Sequence, residues 1–419
     1  MSTTSAADAR GGPARSESAP DESARERAAR AAWSALVEPG DVVAGALVGS
    51  LGAADAWEWL RDAASRVSAS DEAVPGTENL AGDSSRRTLH RTVERWRPRL
   101  ERLGQDHGTG RDGLPLVRPT QGMRVIVPGD ESWPPGLDDL GTAAPLCLWA
   151  RGDALGALAG GSVALVGARA ATTYGERVAY DLALGLAHDG IPVVSGGAYG
   201  IDAAAHRGAL AAQGRTVVVL AGGADRAYPA GNARIFEQTI AGGGAIVSEV
   251  PPRSLPTRSR FLQRNRLIAA AASGTVVVEA AWRSGALSTA NHAARLFRPV
   301  GAVPGPVTSM ASAGCHRLLR DGLAVCVTDA AEVVELVGPV GAAALADEPV
   351  SARLRDGLEP DARLVLDALG RRLPRSTAEV AAGAGVAVAQ AQSALGLLEV
   401  RGLAERVNGG WLARVSSRA

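Results

Sequence analysis

The residues of this chain that are best suited to chemistry lie in short turns rich in glycine, serine and arginine. One turn, Ser195–Asp202, has the sequence SGGAYGID and leads into a segment of helical composition. Glycines let backbone N–H groups approach and face an anion, and the start of a helix adds partial positive charge. Arg169 follows an earlier apolar run, and Ser284-Gly285-Ala286 follows a later one. These turns predict a site that binds phosphate groups; the alternative is that each is an ordinary tight turn.

The charge distribution points to the same kind of ligand. The chain has 44 basic and 44 acidic residues, and every basic residue is an arginine, whose planar guanidinium suits bidentate contact with phosphate. Residues 250–320 hold ten arginines and one acidic residue, Glu279, so this stretch is strongly basic within a neutral protein. A basic face on a neutral protein predicts a polyanionic partner. The alternative is that these arginines are paired within the protein.

Aromatic residues occur near the same turns. Tyr174, Tyr199 and Tyr228 each follow the end of a predicted strand, and Phe261 lies among the arginines. Rings that stack on bases and charges that follow the backbone are what a single-strand binder needs. The alternative is that the rings pack the loops. The predicted DNA-binding residues are Arg169, Ser195, Gly196, Gly197, Tyr199, Gly222, Arg258, Arg260, Phe261, Arg264, Asn265, Arg266, Ser284 and Gly285.

The residues that could carry catalysis lack a matching pattern. Ser195 and Ser284 stand in glycine-rich turns without the nucleophile-elbow sequence. Asp202 and His206 are four residues apart, which predicts a pair that braces the turn; a general-base role for His206 is the alternative. The histidines and the three cysteines lack metal-ligand spacing, and the cysteines are expected to be reduced and buried. We therefore expect no catalytic residue, no metal, no cofactor and no enzyme activity.

Alternating strands and helices must position these turns. Six apolar, β-branched runs are separated by segments of helical length, which is typical of a parallel sheet covered on both faces. Such sheets bind ligands at the carboxyl ends of their strands. The chain is therefore predicted to be an α/β protein with a Rossmann-like parallel sheet core. The predicted strands are Val163–Gly167, Ile191–Ser195, Thr216–Leu220, Ala245–Glu249, Thr275–Glu279 and Pro299–Val303.

Composition divides the rest of the chain. Three helical segments, a Ser376/Glu379 capping box and a hairpin turn at Asn408-Gly409 predict a C-terminal winged helix. The N-terminus has no apolar signal segment and no run is long enough to span a membrane, so a cytoplasmic protein is expected. The predicted regions are a disordered tail (1–24), a helical N-terminal module (25–104, with a linker at 67–85 and an arginine-rich helix at 86–104), a Rossmann-like core (122–336), a linker (337–358) and the winged helix (359–415).

The ordered set of motifs resembles the DNA-processing protein DprA (Smf) family over roughly residues 130–325. Each motif alone is common, but the set in this order is specific to the family. Two positions depart from the usual pattern: Gly197 replaces a bulkier residue and Leu262 stands where a proline is common. The matching motifs are Val166–Arg169, Ser195–Asp202 with His206, Tyr228-Pro229, Ser248-Glu249, Phe261–Arg266 (FLQRNR), Ser284–Ala286 with Thr289, and Pro304-Gly305.

The resemblance implies a function. Family members are homodimers with a Rossmann-like core that bind and protect single-stranded DNA during natural transformation, help to load the RecA recombinase, and have no attributed catalysis. A helical module of the SAM or helix-hairpin-helix kind and a winged helix often flank the core. The resemblance places the DNA groove at Arg169, the turn 195–197 and the cluster 264–266, with Phe261 as a base-stacking residue.

Two other functions compete with this one. A nucleotide phosphoribohydrolase on a related Rossmann core would need a Pro-Gly-Gly-x-Gly-Thr turn and a catalytic glutamate. Here Pro304-Gly305 continues differently, and only Glu249 and Glu279 could serve as that glutamate. A DNA-binding regulator that uses its winged helix would leave the turns of the larger domain unexplained.

Overall fold

The computed structural model describes ten stretches of the chain, which divide into two compact units, Met1–Val337 and Gly338–Ala419. The described stretches are residues 18–66, 83–110, 112–120, 122–153, 155–156, 158, 161–338, 358–370, 374–407 and 409–414.

One mixed sheet of nine strands organises the described part of the first unit. In order across the sheet the strands are β1-β2-β6-β5-β4-β3-β7-β8-β9. All pairs from β6 to β9 are parallel, and β1 and β2 add antiparallel strands at the β6 edge. The strands are β1 Met123–Ile126, β2 Leu148–Gly152, β3 Val163–Val166, β4 Val193–Ser195, β5 Thr216–Leu220, β6 Ala245–Ser248, β7 Gly274–Val277, β8 Val300–Ala302 and β9 Val325–Cys326.

The parallel sheet core predicted from the sequence is confirmed. Each of the six predicted strands is present within two residues of its predicted bounds, from β3 to β8. Every residue of these strands is buried, because helices cover both faces. The two antiparallel strands were not predicted because, among the described residues, no α-helix separates β1, β2 and β3 in the chain. Strand β9 was not predicted because it consists of only two residues, both exposed.

Seven helices flank the sheet within the described residues. Leu267 and Ile268 pack with Leu287 against Val166 on one face, whereas Leu182 and Ile201 pack against the other. The helices are α5 Thr173–His188, α6 Ile201–Ala211, α7 Ala233–Ala241, α8 Arg258–Ala271, α9 Ala286–Arg295, α10 Ala313–Arg320 and α11 Ala330–Val337, with 3-10 segments at Pro135–Ala143, Ala230–Asn232 and Met310–Ser312.

The strand order creates a crevice. From β3 the chain adds β4, β5 and β6 on one side, and then returns to place β7, β8 and β9 on the other side. Connections therefore leave the carboxyl ends of β3 and β7 in opposite directions, which opens a gap between them. In parallel sheets this switch point is the usual ligand site.

Four helices precede the sheet: α1 Ser18–Leu36, α2 Val42–Leu51, α3 Ala53–Arg66 and α4 Asp83–His107. The buried rings of Trp57 and Trp96 each meet Trp33 edge to face, with centroids 5.5 Å apart. Trp149 of β2 donates from Nε1 to Ser34 Oγ at 3.1 Å. This helical module thus shares one hydrophobic core with the sheet.

The described helices extend into two predicted N-terminal segments, the tail and the linker. Helix α1 begins at Ser18, so the end of the predicted disordered tail is helical; the sequence Pro20-Asp21-Glu22 is typical of a first helical turn. Residues 1–17 of that tail lie outside the described residues. So do residues 67–82 of the predicted linker, and its last three residues, 83–85, belong to α4.

The second unit contains α12 Pro360–Ala368, α13 Thr377–Ala384, α14 Val388–Val400 and an antiparallel hairpin of β10 Ala404–Val407 and β11 Gly410–Ala413. Its core includes Val365, Leu395 and Trp411. The Ser376/Glu379 capping box is present at α13. Asn408 and residues 339–357 of the predicted linker lie outside the described residues, and the winged-helix assignment stays a prediction.

Within the described residues no single helix has the length and apolar composition of a membrane span. Only the pair Thr377–Ala384 and Val388–Val400, with a bend of 104° between its members, reaches that length and composition together.

Candidate nucleic-acid interface

A pocket of about 560 Å³ opens at the switch point between β3 and β7. This volume lies within the range of small-ligand sites in proteins. Its walls come from the loop after β3, the start of α8, and the loop after β7 that leads into α9. The lining residues are Val166, Gly167, Arg169, Ala198, Asp202, Pro256, Thr257, Arg258, Phe261, Leu262, Arg264, Asn265, Ile268, Ser284, Gly285, Ala286 and Thr289.

Helix α8 supplies one wall because of its side-chain spacing. Thr257 caps the helix, its Oγ1 accepting a hydrogen bond from Arg260 N at 3.3 Å. Arg258, Phe261 and Asn265 follow each other at intervals of three and four residues, so they share one helix face, which is the face that lines the pocket. Asn265 donates from Nδ2 to Gly285 O at 3.1 Å, which joins this wall to the loop after β7.

The rim of the pocket combines positive charge with aromatic rings. The Arg169 guanidinium lies 4.3 Å from the centroid of the Phe261 ring. Tyr228, which is half exposed, approaches the same ring with centroids 5.9 Å apart. Arg169 and Arg258 are both exposed. An anion at this rim would meet two guanidinium groups, and a planar group would meet two rings.

Charged side chains of opposite sign are buried at the base of the pocket. Arg264 donates from Nη1 to Val219 O at 2.7 Å, and Asp202 accepts from Ala198 N at 3.2 Å. Burial raises the pKa of Asp202, although the positive charge of Arg264 opposes the shift. Burial also lowers the pKa of Arg264 to about 10, and Asp202 opposes that shift. Arg264 therefore remains a cation at neutral pH, beside the ring of Phe261.

The turn after β4 is not an open phosphate cradle, which corrects the prediction for Ser195, Gly196 and Gly197. All three are buried. Ser195 Oγ donates to Leu165 O at 2.6 Å. A Cβ on Gly196 would overlap the Arg264 guanidinium, and one on Gly197, where φ is +69°, would lie 2.8 Å from Phe236 Cζ. The glycines make room for side chains of the protein itself.

Two further predicted residues lie outside the pocket. Tyr199 is half exposed, but its ring lies beside Gly231. Gly222 lies against the segment that leads into α8, where a Cβ would be 3.0 Å from Ser254 O. The amide of Asn232, which is not one of the predicted site residues, holds the SGGA turn by donating to Gly197 O at 2.9 Å and Ala198 O at 3.1 Å.

Arg260 and Arg266 are committed to partners on the opposite face of α8, which corrects their assignment to the groove. Arg260 donates to both carboxylate oxygens of Glu38, at 2.9 and 3.2 Å, and lowers the pKa of that carboxyl. Arg266 is 3% exposed and meets Glu249 at 2.6 Å. The backbone amide of Gly40 also donates to Glu249, at 3.3 Å.

Only the Asp202 half of the predicted brace is present: Asp202 accepts from Ala198 N of the turn, whereas His206 is hydrogen-bonded to Thr216. His206 Nδ1 lies 2.7 Å from Thr216 Oγ1, whose own proton is donated to Val193 O at 2.8 Å. The imidazole is therefore the donor, with its proton on Nδ1. Full burial lowers the pKa of His206 to about 3. His206 does not line the pocket, where a general base would have to act.

The two glutamates that a phosphoribohydrolase would need do not line the pocket. Glu279 is 1% exposed and accepts from Thr172 N at 2.9 Å and from Thr172 Oγ1 at 2.6 Å. Glu249 is bound to Arg266. Among the described residues no cluster of three or more His, Cys, Asp or Glu side chains could hold a metal ion.

The cysteines only partly match the prediction. Cys147 and Cys315 are buried, and burial raises the pKa of each thiol to about 12. Cys326 is exposed, because β9 is the last strand at its edge of the sheet.

Comparisons with known proteins agree on one family. The model of the family DNA recombination-mediator protein A matches residues 124–338. A Mycobacterium tuberculosis protein described as DNA processing protein DprA is 50% identical over 311 residues, which are 72% of this chain and 79% of that protein. Escherichia coli protein Smf is 40% identical over 211 residues, which are 50% of this chain and 56% of the Escherichia coli protein. The X-ray structure of DprA from Streptococcus pneumoniae superposes with a TM-score of 0.55 at 26% identity, covering 74% of this chain and 97% of that one.

Proposed function

This chain belongs to the DNA recombination-mediator protein A family, the DprA and Smf proteins, and we propose on that premise that it binds single-stranded DNA in the pocket between β3 and β7. The observation that carries the proposal is the rim formed by Arg169, Arg258 and Phe261, with Tyr228 beside the Phe261 ring, which offers two exposed cations and two neighbouring rings. Phosphates attract guanidinium groups, and exposed bases stack on rings, whereas the bases of a duplex are already stacked.

Each rim residue has a role in the proposed complex. Arg169 and Arg258 contact phosphates, and a base stacks against the ring surface formed by Phe261 and Tyr228. In the free protein the Arg169 guanidinium covers Phe261, so a phosphate that draws Arg169 outward also uncovers the ring for the base. Arg264 and Asn265 hold the wall in place through Val219 O and Gly285 O. Stacking and charge without base-edge contacts predict binding with little sequence preference.

The wider biological role follows from family membership and is part of the proposal. The protein protects incoming single strands during natural transformation, acts as a homodimer in the cytoplasm, and helps to load the RecA recombinase without turning over a substrate. The second unit is a winged helix that is not needed for single-strand binding. Burial of a strand segment in the pocket would shield its phosphodiester bonds from nucleases.

A salt titration tests the proposal. Binding of a fluorescent oligothymidine is measured at increasing salt concentration, with a duplex of equal length as competitor. For a strand held by phosphate contacts, the logarithm of the affinity should fall with the logarithm of salt by about 0.7 per contact. Preference for the single strand with such a slope supports the proposal. Binding that is absent, insensitive to salt or equally strong for duplex overturns it.

A further inference from the structure

The exposed face of α4 carries a row of arginines. Arg91, Arg95 and Arg102 are exposed and Arg99 is half exposed. Their separations of three, four and eight residues put them on one face of the helix, whereas Leu89, Trp96 and Leu103 on another face are buried in the core. We refer to Arg91, Arg95, Arg99 and Arg102 as the α4 arginine row. Its length along the helix is about 16 Å.

This row is joined to the wall of the pocket through one carboxylate. Glu38 contacts Arg99 of α4 at 3.3 Å and Arg260 of α8 at 2.9 Å. Arg260 also donates from Nη1 to Leu255 O at 2.9 Å, one residue before Pro256 of the pocket lining. Because one carboxylate lies between two guanidinium groups, the junction keeps a net positive charge. Positive charge is thus continuous from the α4 arginine row to the start of α8.

The acidic residues nearby leave the row positive. Glu94 lies three residues after Arg91 and so neighbours one end of the row, whereas Glu101 pairs with Arg97. Over residues 88–107 of α4, five arginines still outnumber three acidic residues. Asp41, which contacts Arg95 at 3.3 Å, is already used as the cap of α2 and accepts from Trp96 Nε1. Asp106 alone follows on the same face, one turn beyond Arg102. The Arg95 side chain is 66% exposed, so its guanidinium can contact a ligand as well as Asp41.

We propose that the α4 arginine row is a second DNA-contact surface, onto which a single strand extends after it leaves the pocket past Arg258. This inference rests on the proposed function and adds the helical module to the binding site. The arginines recur about every 6 Å along the helix, a spacing comparable to that of successive phosphates in an extended strand. The tryptophan rings of the helical module pack in its core, so the α4 arginine row contacts phosphates and offers no ring on which a base could stack.

The test uses the full chain and two oligothymidines, one of about 6 nucleotides that fills the pocket alone and one of about 30 that also reaches α4. In the triple variant Arg91→Gln, Arg95→Gln and Arg102→Gln, Arg99 is kept because it contacts Glu38. Loss of three phosphate contacts should weaken binding of the long strand about tenfold or more and lower its salt slope by about 2. Binding of the short strand should be unchanged.

A matched variant controls for net charge. Arg207→Gln, Arg215→Gln and Arg295→Gln remove the same charge from positions outside the pocket and the row, and should leave both affinities unchanged. The inference is overturned if the row variant binds the long strand as the natural protein does, if both strands are weakened equally, or if the control variant has the same effect. If the natural protein binds neither strand, the proposed function itself fails.

Discussion

The role of the glycines in the SGGA turn can be tested by one methyl group. An alanine at position 196 would place its Cβ within the guanidinium of Arg264, 2.6 Å from Nη2 and closer still to Nη1 and Cζ. Ordinary contact begins near 3.4 Å, so the guanidinium must move by about 1 Å or more. That movement breaks its 2.7 Å hydrogen bond to Val219 O inside the core.

The expected cost follows from these contacts. Losing a buried hydrogen bond from a charged donor costs about 1.5–3 kcal/mol, and overpacking costs about 1–3 kcal/mol more. The smaller conformational freedom of unfolded alanine returns about 0.4–1 kcal/mol. Gly196→Ala should therefore lower the free energy of unfolding by about 1.5–5.5 kcal/mol. It should also weaken DNA binding, because Arg264 lines the pocket.

Urea unfolding followed by tryptophan fluorescence measures this cost, since seven of the eight tryptophans lie in the first unit. Gly285→Ala is the matched control. Gly285 also lines the pocket, but its φ of −62° suits alanine and its Cβ would meet nothing within 4 Å. Gly285→Ala should leave the free energy of unfolding unchanged or raise it slightly. If Gly196→Ala unfolds like the natural protein and only loses DNA affinity, the glycine serves the ligand, and our account of the turn is refuted.

Three other predictions concern buried charge and the second unit. Folding lowers the pKa of His206 from 6.5 to about 3, so between these values the unfolded chain binds a proton there that the folded protein does not. The free energy of unfolding should therefore fall as the pH drops below about 6.5, by up to about 1.4 kcal/mol per pH unit. The urea midpoints at about pH 7 and about pH 5 should differ less in His206→Gln than in the natural protein. An equal difference in the two proteins would contradict this prediction. Glu249→Gln leaves the Arg266 cation buried without its counter-charge and should cost about 3–5 kcal/mol, whereas Asp181→Asn, in an exposed pair, should have little effect; equal urea midpoints for the two variants would contradict the account. Deleting residues 355–419 should leave most single-strand affinity intact, and near-total loss in the same binding assay would move the site to the second unit.

The sequence was sufficient to predict the sheet and the edge that holds the pocket. Alternating buried strands and helices predict a parallel sheet, and Arg169 and Ser284-Gly285 follow strand ends, so they had to lie at its carboxyl edge. The position of the pocket along that edge depends on strand order. Nothing in the local sequence indicates that β7 returns to pair with β3 rather than continuing beyond β6.

The side-chain partners were harder to predict. Arg258, Arg264 and Arg266 lie in one basic segment, yet the first is exposed and the other two are buried. Helical spacing from Arg258 and Phe261 would have separated the pocket face from the face of Arg260. The partner Glu38 is more than 200 residues away in the chain, so composition alone could not reveal it. His206 was paired with its helix neighbour Asp202 instead of Thr216, because spacing along one helix does not show which strand packs against that helix.

The most direct test of the central claim is the affinity of the double variant Arg169→Ala and Phe261→Ala for oligothymidine at fixed salt. Arg169 and Phe261 form the charged and aromatic rim of the pocket between β3 and β7; Arg169 is exposed and Phe261 is partly buried. Loss of a charge-assisted phosphate contact and of a stacked base should weaken binding by about 2–5 kcal/mol, which is about thirtyfold or more. An unchanged affinity in a variant that unfolds like the natural protein would show that single-stranded DNA does not bind in this pocket.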